Sequence, residues 1–298
     1  MHFPHNDVDV LVIGSVNLDT GFTLPRAPRV GETIAALDMV ERGGGKGANQ
    51  AYAAARAGAS TTLLAAVGHD ADPALADLRT VDVALGDLVS VPDVPTGRAV
   101  LLLAGGENTI VVNAGANAHL TAQHVSDWAS AHAAPSVVAL QHEVEAPVID
   151  AALDAFGERA RIVLNPSPWR DGAAEAVRRA HVVVLNEVEL EQALGLEPVT
   201  DEEPLAIAHR LIGDLPGGDV VVTLGGDGAL VRQDGEITHV PAIRTTPVDT
   251  VGAGDAFLGT LTAALARGED LVSAATAGAT AAAVVVTIHG ARDTTPMP

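Results

Sequence analysis

The sequence predicts an α/β protein: three layers, helix, mostly parallel sheet and helix, with a small extra β-sheet as a lid. Three observations predict it. Short, wholly apolar runs alternate with helical patterns; polar or glycine-rich residues follow several of those runs; and two β-rich insertions, near residues 20–42 and 94–113, break the rhythm. The whole chain, 1–298, is taken as a single domain on this basis.

Residues 8–13 (VDVLVI) end at Gly14 and have the continuous apolar character of a buried parallel strand. Residues 20–39 are mixed, with Pro25, Pro28 and Gly31, and predict short exposed strands. A glycine cluster at 43–47, which follows no clean strand, leads into a helix over 48–57. Residues 61–67 form a second apolar strand. Residues 98–103 and 108–113 make a hairpin around Gly105 and Gly106. Four further apolar runs, 137–140, 161–164, 182–185 and 220–224, are separated by helical patterns, as expected of a parallel sheet covered on both faces. Residues 229–233 and 237–240 flank Asp234-Gly235, a hairpin turn. Helices are expected over 254–267 and from 271 to about 283. Residues 271–288 carry no charge and are long enough to span a bilayer, but Ala, Thr, Ser and Gly dominate them. A buried helix leading into a strand is the expectation there. No signal peptide is expected in residues 1–7.

Composition excludes several function classes. With 17 Lys+Arg against 38 Asp+Glu, the formal net charge is -21, which disfavours nucleic acid and anionic membranes as partners. The chain has no cysteine, so thiol catalysis, disulfides and Cys-ligated zinc are excluded. The eleven histidines, His142 beside Glu143 and Glu145 included, show no zinc spacing and are taken as surface or packing residues. The expectation is a cytoplasmic protein.

Four segments carry chemistry. Residues 249–255 (DTVGAGD) open a helix. Their glycines let backbone N–H groups approach an anion, and the helix start adds positive potential. Asp255 there can accept a proton from a hydroxyl, or simply cap the helix. Residues 44–49 (GGKGAN) surround Lys46, the only lysine in the chain, which suits a phosphate or a sugar hydroxyl; the spacing matches neither a P-loop nor a dinucleotide fingerprint. Asn17 and Asp19, two apart after the first strand, can bond vicinal hydroxyls or form an Asx turn. Asn186 and Glu189, in NEVE after another strand, suit Mg²⁺ through water, or capping.

In this order the segments resemble the ribokinase-like (PfkB) carbohydrate kinase family, over nearly the whole chain. GGKGAN and DTVGAGD are its two signatures, and GSVNLD (14–19), NAGAN (113–117), NPSP (165–168) and NEVE (186–189) support it. The resemblance implies ATP-dependent phosphorylation of a sugar at a primary hydroxyl, O5 for ribose, with another sugar (fructose, 2-keto-3-deoxygluconate) or a nucleoside as alternative acceptor. Asp255 matches the catalytic base, and Gly252, Ala253 and Gly254 the anion hole. Asn17, Asp19, Gly45, Lys46, Gly47, Asn49 and Glu145 match sugar-contacting positions. Asn186, Thr223, Gly225, Gly226, Gly228 and Gly254 match nucleotide-contacting ones. Glu189 matches the acidic residue associated with Mg²⁺. Asp249, Val251, Val285, Ile288, Gly290 and Thr294 match the site of a monovalent cation, K⁺. Ala279 stands where the family often has His or Asn. The resemblance also implies a homodimer formed through the lid, whose strands offer an open edge. Two other classes compete, a non-catalytic sugar- or nucleotide-binding protein and a dinucleotide-dependent oxidoreductase; the second lacks its fingerprint.

Overall fold

The structure, a computed structural model, describes residues 8–104, 107–197 and 203–292. In chain order the first half contains β1 (Val10–Ile13), β2 (Asn17–Thr23), β3 (Asp38–Gly44), α1 (Lys46–Arg56), β4 (Thr61–Leu64), β5 (Ala66–Gly68), α2 (Asp72–Thr80), β6 (Val89–Val91), β7 (Arg98–Ala104), β8 (Glu107–Asn113) and α3 (Ala122–Ala131). The second half contains β9 (Val137–Gln141), α4 (Ala146–Phe156), β10 (Arg161–Asn165), α5 (Ala173–Arg179), β11 (Val182–Asn186), α6 (Glu187–Ala193), α7 (Pro204–Leu211), β12 (Asp219–Thr223), β13 (Ala229–Gln233), β14 (Glu236–Val240), α8 (Ala253–Ala266) and α9 (Leu271–Val285).

Eight strands form the central sheet in the order β14-β13-β12-β11-β10-β9-β1-β4. All pairs are parallel except β12 with β13 and β13 with β14. Side-chain alternation sends each strand into two cores. Val10 and Val12 of β1 join α1, α2, α8 and α9 on one face, while Leu11 and Ile13 join α3 to α7 on the other. This is the predicted α/β/α sandwich.

On the first face the helices approach closely because glycines meet them. A Cβ at Gly259 of α8 would lie 2.3 Å from the Gln50 carbonyl oxygen of α1, and one at Gly278 of α9 would lie 2.8 Å from the Phe257 carbonyl oxygen. This packing explains the small, uncharged residues of 271–288. They form α9 and a turn, where Thr287 N–H bonds the Val284 carbonyl and Ile288 N–H that of Val285. The expected strand after this helix is absent among the described residues. No described helix is long and apolar enough to cross a membrane.

The two β-rich segments pair into a second sheet, β3-β2-β7-β8. Within it β2 and β7 run parallel and the outer pairs antiparallel. Gly43 and Gly44 belong to β3, so the glycine cluster does follow a strand. That strand was hidden in the sequence because residues 38–42 are exposed and lack an apolar period. The apolar run 61–67 divides into β4 and β5 at Ala65, and β5 leaves the main sheet to pair with β6.

Strand order locates the functional end. From β1 the chain moves to β4 at one edge, and from β9 to β10 and onward in the other direction. The neighbours β1 and β9 therefore define a topological switch point, and ligands of open α/β sheets bind beyond the carboxyl ends of such a pair.

Candidate active site

The residues beyond β1 and β9 are tied to the glycine loop. Ser15 Oγ donates to Glu143 Oε2 at 2.6 Å, and the Lys46 amide donates to the same oxygen at 2.9 Å. The Gly47 amide donates to Ser15 Oγ at 3.2 Å. This approach needs glycine: a Cβ at Gly47 would sit 2.5 Å from the Ser15 nitrogen, and one at Gly44 would sit 1.9 Å from Asp19 Oδ2. Gly45 caps α1 with φ 86°, the left-handed region.

Asn17 and Asp19 both lie on β2, on one side of an extended segment. Asn117 connects the loop of 113–117 to them: it accepts from the Val16 amide and donates Nδ2 to Asn17 Oδ1 at 2.8 Å. Asp19 is pushed up to about 6, first by burial and then by Glu143, against the Arg292 cation that pulls it down. Its Oδ1 is buried without a hydrogen-bond donor. Burial pushes the Lys46 ammonium down. Asp255, Glu143 and Glu189 outweigh that, so its net shift is upward and it stays charged.

Asp255 is the third residue of α8, whose N-cap is Gly252 at φ 79°. It is buried, 8% exposed, and both its oxygens accept amides from α1. Asn49 Nδ2 donates to Oδ2 at 3.0 Å and Gln50 Nε2 to Oδ1 at 3.1 Å. The side chain therefore points toward α1 and the glycine loop. No helix-cap hydrogen bond to a side chain is made at this end of α8. The first-turn amides around Gly252, Ala253 and Gly254 have no intrahelical acceptors. Gly252 packs against residue 291, where a Cβ would come within 2.2 Å of the Ala291 Cβ.

The structure thus brings Asn17, Asp19, Gly45, Lys46, Gly47, Asn49 and Asp255 to one cleft. It does not bring Glu145. That side chain is exposed at the N-cap position of α4, and the carboxylate in the cleft is Glu143. The two glutamates lie two apart in a turn, and the turn, which spacing does not reveal, aims Glu143 inward. Gln50 and Arg292 were also missed. Arg292 is 9% exposed and spans three segments: Nε donates to Asn49 Oδ1, Nη1 to the Ala74 carbonyl and Nη2 to the Gly44 carbonyl. Its only sequence signal was a cation two residues after a glycine.

At the start of α6, Asn186 and Glu189 form a reciprocal capping box: Glu189 N–H donates to Asn186 Oδ1 and Asn186 N–H to Glu189 Oε2. The capping role expected as the alternative is thus present, and one carboxylate oxygen, Oε1, takes no part in it. Thr223 ends β12, and Gly225 and Gly228 adopt positive φ in the turn that contains Gly226. Ile243, Val251 and Val284 are exposed apolar side chains, and Ala279 packs into the core. Asp249 ties two loops together, accepting the Val251 amide on Oδ1 and the Gly290 amide on Oδ2 at 3.0 Å each. The Val285 carbonyl accepts Ile288 N–H. Thr294 lies outside the described residues.

Among the described residues no group of three His, Asp or Glu side chains is placed to hold a metal. His142 is buried and neutral, pushed down to about 4 by burial and then by the Arg170 cation. A cavity of about 690 Å³ lies at the opposite end of the sheet, lined by Arg161, His181 and Asp219 among others. It shares no residue with this cleft.

A carboxylate at a helix start, first-turn amides without intrahelical acceptors (that of Ala253 reaching the Thr250 carbonyl at 3.3 Å) and a charged lysine in a glycine loop are the parts needed to deprotonate a hydroxyl and hold a transferring phosphoryl group. The model of the pfkB family of carbohydrate kinases matches residues 7–298, and the chain belongs to that family. It is 32% identical to the ribokinase of Staphylococcus aureus over 97% of this chain and 96% of that one. It is also 32% identical to a deoxyribokinase of Salmonella typhi, with the same coverage of each. Among solved structures it is similar to the ribokinase of Cryptococcus neoformans in complex with ADP, at 35% identity and a TM-score of 0.84, covering 96% of each chain.

Proposed function

We propose that the protein phosphorylates D-ribose at O5 with ATP, giving ribose 5-phosphate and ADP. One observation carries this reading: Asp255, at the first turn of α8, shares a cleft with Lys46 and with Asp19, whose Oδ1 lacks a donor. Sugar hydroxyls are such donors. Asp19, Asn17 and Glu143, with the backbone of Gly45 and Gly47, hold the hydroxyls and orient the sugar. Asp255 takes the proton of the primary hydroxyl as its oxygen attacks the γ-phosphorus. Each carboxylate oxygen has a second lone pair, so the Asn49 and Gln50 amides orient the base without blocking it.

The amides of Gly252, Ala253 and Gly254 stabilise charge on the transferring phosphoryl group, and Lys46 adds a point charge. The nucleotide lies along Asn186, Thr223 and Gly225 to Gly228, with its base near Ile243, Val251 and Val284. The oxygen-only donors fit both expected cations. Mg²⁺ keeps waters and binds substrate phosphates, so Glu189 would hold it through water, and Mg²⁺ supplies charge neutralisation there. Asp249 and the carbonyls of Val251, Val285, Ile288 and Gly290 would hold K⁺ behind the anion hole. The second sheet closes over the sugar as a lid and excludes water. Its exposed Met39, Val40, Ile110, Val111 and Val112 support a homodimer through this sheet. The reading places the enzyme in the cytoplasm, with ATP.

The test is a coupled ADP-release assay over D-ribose, 2-deoxy-D-ribose, fructose, 2-keto-3-deoxygluconate and nucleosides. Ribose is expected to give the highest kcat/KM. Deoxyribose is the second reading, on the equal identity to a deoxyribokinase. Turnover of deoxyribose in preference to ribose would replace the substrate, and turnover of none would remove the kinase reading.

A further inference from the structure

We propose that Arg292 is a positioning residue for the phosphoryl transfer: it fixes the Asn49 amide so that its NH₂ faces the base, and anchors the glycine loop beside Asp19. The inference rests on the kinase reading and concerns a residue that the family signatures leave out.

The geometry is specific. A carboxamide offers either its oxygen or its NH₂, and flipping it exchanges the two. Arg292 has donors only, and its Nε takes Asn49 Oδ1 at 2.9 Å. The NH₂ of Asn49 is therefore directed to Asp255 Oδ2, at 3.0 Å. The guanidinium and the carboxylate fix the amide from its two sides, since the flipped amide would set its NH₂ against Arg292 and its oxygen against Asp255. The other two donors of the fork hold the Gly44 carbonyl at 2.7 Å and the Ala74 carbonyl of α2 at 2.8 Å. Gly44 is the residue directly against Asp19 Oδ2. One rigid cation thus sets the base through Asn49 and the sugar-facing carboxylate through Gly44.

Burying a charge so fully is costly unless it is compensated, and Arg292 is hydrogen-bonded through Nε, Nη1 and Nη2 to neutral oxygens and lies in the field of Asp77, Asp19 and Asp255. Burial lowers it to about 10, opposed by Asp77, Asp19 and Asp255, so it remains a cation at neutral pH. A lysine would keep the charge but lose the planar fork. Arg292 is also two residues beyond Gly290, whose amide bonds Asp249, so the loop carrying Asp249 and the sugar cleft are joined through it.

The test is a double-mutant cycle of Arg292→Gln and Asn49→Ala. It is run with the sugar of highest turnover in the wild type, so a wrong sugar assignment changes the substrate and not the cycle. Arg292→Gln should lower kcat/KM for sugar by about 10²-fold, the scale of a misplaced reacting group, and leave KM for ATP within about twofold. The loss in the double variant should fall at least about threefold short of the product of the two single losses, because both act on the Asn49–Asp255 contact, and what Arg292→Gln still adds to Asn49→Ala is the part that runs through Gly44. The acid limb of kcat/KM for sugar should move to higher pH in Arg292→Gln. Asp19 loses its helping cation there, while Glu143 and Asp255 still raise it. Arg292→Lys should restore that limb but not the rate. Effects of the two substitutions that multiply, an unmoved acid limb, or equal losses toward sugar and ATP would overturn the proposal and leave Arg292 a packing residue. If Arg292→Gln does not fold, the cycle is run with Arg292→Lys, and the same additivity overturns it. Wild type inactive on every sugar would instead overturn the kinase reading, and the inference with it.

Discussion

Asp19 sits in the folded chain at a free-energy cost. Its carboxyl titrates near 6 against an ordinary value of 3.8, so the native protein binds the extra proton between those values. Stability from this group is present below about pH 3.8 and lost as pH rises through 6. Asp19→Asn removes the penalty. It should stabilise the chain by about 1–3 kcal/mol at pH 7.5, with the gain vanishing toward pH 4, as read by urea unfolding at several pH values. The same variant should bind sugar more weakly. Asp255→Asn should keep sugar binding, measured by calorimetry, and lose about 10²–10⁴ in kcat, because an amide cannot accept the hydroxyl proton. At this scale the sequence revealed the residue types better than their directions. Glu143 and Glu145 were indistinguishable until the turn after β9 set one inward, and Arg292 carried no pattern that tied it to Asn49 across more than two hundred positions.

The start of α8 is the element on which the chemistry depends. Gly252 adopts φ 79° and packs on Ala291, so Gly252→Ala meets both left-handed strain and a clash. The backbone strain alone costs about 1–2 kcal/mol, and the first-turn amides would turn away from the phosphoryl group. The variant should lower Tm by several degrees and kcat by at least tenfold, with sugar affinity unchanged, as checked by melting, steady-state kinetics and calorimetry. Elements with continuous apolar runs, such as β9 and β11, were legible because burial on both faces writes a run into the sequence. The exposed β3 wrote none, and the uncharged tail of α9 looked like a strand because small residues serve helix packing and sheets alike.

For the whole molecule, the switch point between β1 and β9 follows from strand order, which only the long-range pairings reveal, whereas the second sheet was announced by the two β-rich insertions that break the β and α rhythm. The open edge of that sheet, with Ile110, Val111 and Val112 exposed, leads to a prediction about assembly. Val111→Glu should convert a dimer to a monomer in sedimentation experiments and raise KM for sugar, whereas an unchanged mass would exclude the lid as the interface. A further prediction concerns the loop joined by Asp249. Activity should fall in Tris buffer free of K⁺ and recover with KCl, and Asp249→Ala should abolish that recovery. The central claim is that Asp255 faces the reacting hydroxyl of a sugar held by Asp19 and Asn17. The most direct measurement is a crystal structure with D-ribose and a non-hydrolysable ATP analogue. The account predicts the O5 hydroxyl within hydrogen-bonding distance of an Asp255 oxygen, with the γ-phosphate over the first turn of α8. A sugar whose primary hydroxyl points away from Asp255, or a phosphate remote from Gly252 to Gly254, would contradict it.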